Sequence, residues 1–231
     1  MPNGCEADAA GTHPTAIAAA GTFEAAALSP VFCLLVTLAS SFGVSVELGA
    51  THSVLRCLSY YTVQSNVLAA VVCLLGARTR RRSRAQLVLQ AGVTIWISVT
   101  ALVFAVFLAH RFSFSGIRAY GDIALHYFAP AVVLLDWVLL EPKGALRLRH
   151  AFLWASYPIV YVVLSLVRGH IDGFYPYWFL DPVHRYPRGM GSHLAVGLFV
   201  LGLFVFFGLL GACLIKMDGG VPNGRRAGVG H

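Results

Sequence analysis

Charge is what this chain has least of. Asp, Glu, Lys and Arg make up 12% of its 231 residues, where a soluble domain carries about 25%. With 58% of the residues hydrophobic and the apolar ones gathered in long blocks, a water-exposed globular fold is excluded and an integral membrane protein is expected. Cysteine is sparse too: Cys5, Cys33, Cys57, Cys73 and Cys213 contain no CxxC pair, which removes a thiol redox motif or a zinc knuckle and leaves small core residues. There is no phosphate-cradling glycine loop and no repeat of fixed period, so neither a nucleotide site of that type nor a solenoid is indicated. Up to about residue 26 there is no Lys or Arg, so the positive start of a secretory signal is missing and a flexible tail is expected.

Six apolar blocks are present, at about 27–48, 58–76, 86–109, 121–140, 151–168 and 192–215. Each comes near the ~20 residues with which a helix crosses a hydrocarbon core. The expected fold class is all-α, a polytopic bundle of six transmembrane helices over 27–215 between flexible tails at 1–26 and 216–231. The net charge of +7 does not point to nucleic acid, because the basic run RTRRRSR at 78–84 lies between two spans and not on a folded face. Loops on that side of the bundle carry eleven Lys and Arg against six on the other. By the positive-inside rule this predicts a multi-pass protein of the cell membrane with both termini cytoplasmic.

Polar residues inside such spans need a reason. The stretch YYTVQSN at 60–66 sets Thr62, Gln64, Ser65 and Asn66 at the head of the second span. Ser59, Thr62, Ser65 and Asn66 share one helical face, with Val63, Val67 and Ala70 expected toward lipid. The fourth span contains GDIALHYFAP, in which Asp122, His126 and Pro130 follow at i+4 steps. Pro130 has no N–H for the His126 carbonyl, so a bend is expected beside the imidazole. Both spans start on the same side, so Thr62 and His126 lie at matching depth, roughly 6 Å in. Further stripes, Gln90/Thr94/Ser98 and Tyr157/Tyr161/Ser165, read as interhelical glue. The aromatic loop at 169–189 suits the membrane interface and lies where it could cover the site.

A threonine hydroxyl becomes a nucleophile when a base takes its proton, and a neutral imidazole in hydrogen-bond reach can do so. Thr62 and His126 therefore predict acyl transfer without a metal or cofactor: attack on an ester carbonyl, protonation of the leaving alcohol, and hydrolysis of the acyl-threonine. Asn66 and Gln64 are the nearest candidate oxyanion donors. Ser65, Tyr157, Tyr161, Tyr175 and Trp178 join them as candidate substrate contacts. Asp136, about 15 Å along the helix from His126, is expected to pair with a neighbouring helix. Two other classes stay open at this point. Outer-side His52, His110, His170, His184 and His193 with Glu47, Asp122, Asp172 and Asp181 could ligate a metal or haem; a transporter or scaffold is the other, with Pro130 and Pro158 interrupting two spans.

These landmarks also resemble a known family, the androgen-induced and androgen-dependent multi-span membrane proteins, which are threonine hydrolases of fatty acid esters of hydroxy fatty acids. The resemblance rests on YYT ending at Thr62, on HYFAP from His126 to Pro130, on Asp136 ten positions further, and on Tyr175, Pro176 and Tyr177. Together they span about residues 58 to 185 and look most like the bacterial proline-rich six-span branch. Tyr127 and Phe128 stand where animal members carry small hydroxylated residues. The resemblance implies Thr62 as nucleophile and His126 as base but does not carry the family's substrate over, and the expected partners are a lipid ester substrate and membrane lipids.

Overall fold

The computed structural model describes residues 14–77, 82–111 and 113–219, with side chains from residue 30 onward. Its helices are α1 (Pro14–Thr51), α2 (Val54–Cys57), α3 (Tyr61–Ala77), α4 (Arg84–Val103), α5 (Ile117–Ile123), α6 (Ala129–Leu139), α7 (Arg149–Asp172) and α8 (His193–Gly219). Two π-helical turns extend them: Phe104–Leu108 continues α4, and Ala124–Phe128 joins α5 to α6 in one rod. Among the described residues there is no strand. The tails expected at 1–26 and 216–231 lie largely outside the described residues, and α8 continues past 215 to Gly219.

Five rods are long and apolar enough to cross a membrane: Pro30–Thr51, Arg84–Arg111, Ile117–Leu139, Arg149–Asp172 and His193–Gly219. The sixth expected span is the shorter α3, with 17 residues, or about 26 Å of rise. Its start moves from 58 to Tyr61 because Val54–Cys57 form their own short helix, capped by the Ser53 side chain, and 58–60 make the turn between. α3 packs between α1 and α4. Thr62, Val63, Ser65, Asn66, Ala69 and Cys73 are all buried on it, so its polar groups meet protein and not lipid. Val63, expected toward lipid, is 1% exposed, although Val71, Leu74 and Leu75 further along the same helix are open. Val67 does lie open.

Three members of the polar stripes, Gln90, Tyr157 and Tyr161, make cross-links, while Thr94 donates to the Gln90 carbonyl of its own helix. Gln90 on α4 donates from Nε2 to Asp136 Oδ2 on α6 at 3.3 Å, both side chains being fully buried. Tyr157 and Tyr161 on α7 donate to Gln64 Oε1 (3.0 Å) and to the Ser59 carbonyl (2.9 Å). α4 begins at a capping box, in which Ser83 and Gln86 each satisfy the other's backbone N–H. Six residues beyond Gln86, Gly92 makes room for Trp154 of α7, whose indole N–H donates to the Val88 carbonyl at 2.9 Å. A Cβ at Gly92 would lie 2.7 Å from the indole Cδ1. Gly92→Leu is therefore expected to displace Trp154 and to destabilise the bundle by about 2 kcal/mol, read as a fall in melting temperature in detergent.

Candidate active site

Thr62 is the second residue of α3, where backbone N–H groups have no helical partner and the helix dipole is positive. Its Oγ1 lies 3.2 Å from His126 Nε2. The two groups that the sequence placed at matching depth therefore meet. On the other side of the ring, His126 Nδ1 is 3.0 Å from Asp122 Oδ1 and 3.1 Å from the Asp122 carbonyl. Both neighbours are acceptors, so they hold the proton on Nδ1 and leave the Nε2 lone pair facing the threonine. The Phe104 ring lies flat against the imidazole, with centroids 3.7 Å apart and planes 18° apart, and fixes the plane in which that lone pair points.

A local departure from α-helical winding brings the histidine to this position. In the turn Ala124–Phe128 the Ala129 N–H passes over the Leu125 carbonyl and donates to the Ala124 carbonyl, an i→i+5 bond. Pro130, at the start of α6, brings no N–H to the His126 carbonyl. The Leu125 carbonyl is therefore free for another donor, and Asn66 Nδ2 supplies one at 3.1 Å. The same amide nitrogen donates to the Thr62 carbonyl at 2.9 Å, and Ser40 Oγ donates to Asn66 Oδ1 at 3.1 Å. Asn66 thus ties α1, the turn of Thr62 and the turn of His126 together. The expected bend near Pro130 takes the form of a π-helical turn, a feature often found at functional sites.

Tyr177, from the aromatic loop, completes the group. Its phenol oxygen accepts from the Thr62 N–H at 3.3 Å and lies 3.3 Å from Thr62 Oγ1. Burial pushes its phenol above the ordinary tyrosine range, against the pull of the two Thr62 bonds, so it keeps a proton to donate. The loop is held down at its far end, where Arg111 lies 4.4 Å over the Trp178 ring and donates from Nη1 to the Pro187 carbonyl at 2.8 Å.

Thr62, His126 and Tyr177 open onto one cavity with ≈ 710 Å³ of non-atom space, its mouth included. Apart from Thr62, Thr100, His126 and the tyrosines, its walls are aliphatic and aromatic, from α4, α7, α8 and the loop. Of the expected substrate contacts, Tyr161 lines it. Ser65 lies beneath it, its hydroxyl 2.9 Å from that of Thr100. Asn66 has both amide hydrogens committed as described, and Gln64 Nε2 donates to the Leu58 carbonyl at 2.7 Å. Neither is placed as an oxyanion donor. Tyr157 bonds Gln64 behind the wall, Tyr175 packs on Gly169, and Trp178 faces Arg111 and Tyr186. The sequence signal for Asp122 is its i+4 step to His126; for Tyr177 it is its place in the aromatic loop and in the Tyr175, Pro176, Tyr177 motif of the resemblance, neither of which assigns it a contact with Thr62.

Among the described residues no three His, Cys, Asp or Glu side chains converge as a metal-ligand set. Asp181 instead pairs with His184 at 2.7 Å, and Arg168 with Asp172 at 3.0 Å. Comparison with family models, with characterised proteins and with solved structures finds no match to this chain.

Proposed function

We propose that the chain is a membrane-embedded hydrolase of lipid esters that uses Thr62 as nucleophile and His126 as base, as the resemblance of its motifs to the threonine hydrolases implies. The observation that carries this reading is a Thr62–His126–Asp122 relay at the head of an apolar cavity. In the first half-reaction the Thr62 hydroxyl proton moves to His126 Nε2 while Oγ1 bonds to the ester carbonyl carbon. The carbonyl oxygen becomes an oxyanion beside the Tyr177 O–H and the positive end of α3. Collapse breaks the ester C–O bond, and the Nε2 proton leaves with the alcohol. In the second half-reaction water gives its proton to His126, attacks the acyl-threonine, and the acid departs as Thr62 regains its hydrogen. Asp122 holds the imidazole tautomer throughout.

As a membrane protein with six spans, α3 included, the chain would lie in the cell membrane with the Arg-rich loops and both termini cytoplasmic. The active site then sits just under the outer boundary. Purified protein in vesicles is expected to release acid from a lipid ester and to take a fluorophosphonate label on Thr62. Absence of both overturns the reading. Tyr177→Phe is expected to lower kcat about 10²-fold with little change in KM, because its proton is used only when the oxyanion forms; an equal loss through KM alone would assign Tyr177 to substrate binding instead.

A further inference from the structure

A second apolar hollow lies on the outside of the bundle between α4 and α8. Leu102, Val106, Phe107, Leu198, Gly202 and Phe206 form it, with ≈ 860 Å³ of non-atom space when its open side is included. Val106 and Leu198 are 59% and 61% exposed on helices apolar enough to cross a membrane, so the medium against them is hydrocarbon. At Gly202 a Cβ would meet no atom within 4 Å; the absent side chain keeps the hollow open.

The partition between this hollow and the catalytic cavity is thin. Val103 and Leu203 line both. Above them Phe199, a residue of the outer hollow, stacks on Phe179 of the loop, a residue of the cavity, at 4.9 Å and 23°. Phe107 meets the same Phe199 ring edge-on at 5.1 Å. On the side of the aromatic loop, Tyr177 hydrogen-bonds Thr62 and Arg111 clamps the loop to the end of α4. An acyl chain arriving from water would have to expose its methylenes, which is unfavourable for each one. A chain arriving from the bilayer exchanges one hydrocarbon environment for another.

Resting on the esterase reading, we infer that the seam between α4 and α8 is a lateral portal through which the acyl chain of a bilayer-resident ester enters the catalytic cavity, with Val103 and Leu203 as its gate. The substrate class is then a long-chain ester dissolved in the membrane and not a water-soluble one. The occupant of the outer hollow is the same chain on its way in, since the hollow leads through the gate to Thr62.

Gly202→Trp puts an indole into the open space, starting from a Cβ that meets no atom within 4 Å. In vesicles it is expected to lower the ratio of kcat/KM for a long-chain lipid ester to that for a short-chain soluble ester by about tenfold or more. An unchanged ratio overturns the portal. Val106→Trp, from the opposite lip, is expected to act in the same direction, so the result does not depend on one variant folding. A readout independent of turnover uses Thr62→Ala protein in vesicles containing a photoactivatable long-chain ester. Adducts are expected on Phe204 and Phe207 in the cavity and are expected to disappear when Gly202→Trp is added; cavity adducts that persist refute the route. If wild-type protein cleaves neither ester and Thr62 takes no label, the esterase reading fails while the cross-links still decide the portal.

Discussion

Thr62→Ala is expected to reduce kcat/KM for ester hydrolysis by about 10⁴-fold or more and to abolish fluorophosphonate labelling, while the protein stays folded. The size follows from the relay: without Oγ1, His126 Nε2 faces no hydroxyl to activate at 3.2 Å, and no covalent intermediate can form. The fold should tolerate the change. The hydroxyl's neighbours are His126 and Tyr177 at a cavity wall, and a lost hydrogen bond of this kind costs about 1 kcal/mol. His126→Ala should match it in activity, and the double variant should be no worse than either single one, because the two groups act as a unit. Full labelling of Thr62→Ala would move the nucleophile elsewhere.

The second large effect is structural and falls on Asn66. Asn66→Leu keeps the branching and the number of side-chain heavy atoms but removes the donor to Leu125 and the acceptor for Ser40. Asn66 is 0% exposed, so no water can replace the lost partners. Two buried polar groups left unpaired cost about 3 kcal/mol or more. The π-helical turn that carries His126 also loses the bond that absorbs its spare carbonyl, so activity should fall together with melting temperature in detergent. Asn66→Leu with wild-type melting and wild-type turnover would show that the turn is held by other means.

The pairing of Thr62 with His126 was legible because span order and helical rise together put both residues at the same end of the bundle and at one depth. Asp136 was legible for the same reason: a carboxylate deep in a span needs a partner, and Gln90 lies on the stripe facing it. Tyr177 was not, since it reaches Thr62 across 115 positions through a loop whose path no periodicity encodes. Asn66 was read as a donor to substrate, whereas it satisfies a backbone carbonyl that exists only in π-helical winding. Residue preferences for α- and π-turns overlap, so YYTVQSN could show that its amide needs a partner and not which one. Val63 was misplaced because helical spacing puts it on one face with Val67, Val71 and Leu74, which are open, and does not encode that the first turn of that face is covered while the rest is not.

The two π-helical turns, Phe104–Leu108 and Ala124–Phe128, face one another through the Phe104–His126 contact. Each contains one residue more than regular winding would use, which turns everything beyond it by about 100° relative to the preceding stretch. These two rods should therefore accept many exchanges of one apolar side chain for another yet be intolerant of length. Excising a single residue such as Tyr127 would restore ideal geometry to the backbone and, by doing so, swing the imidazole out of register with its alcohol.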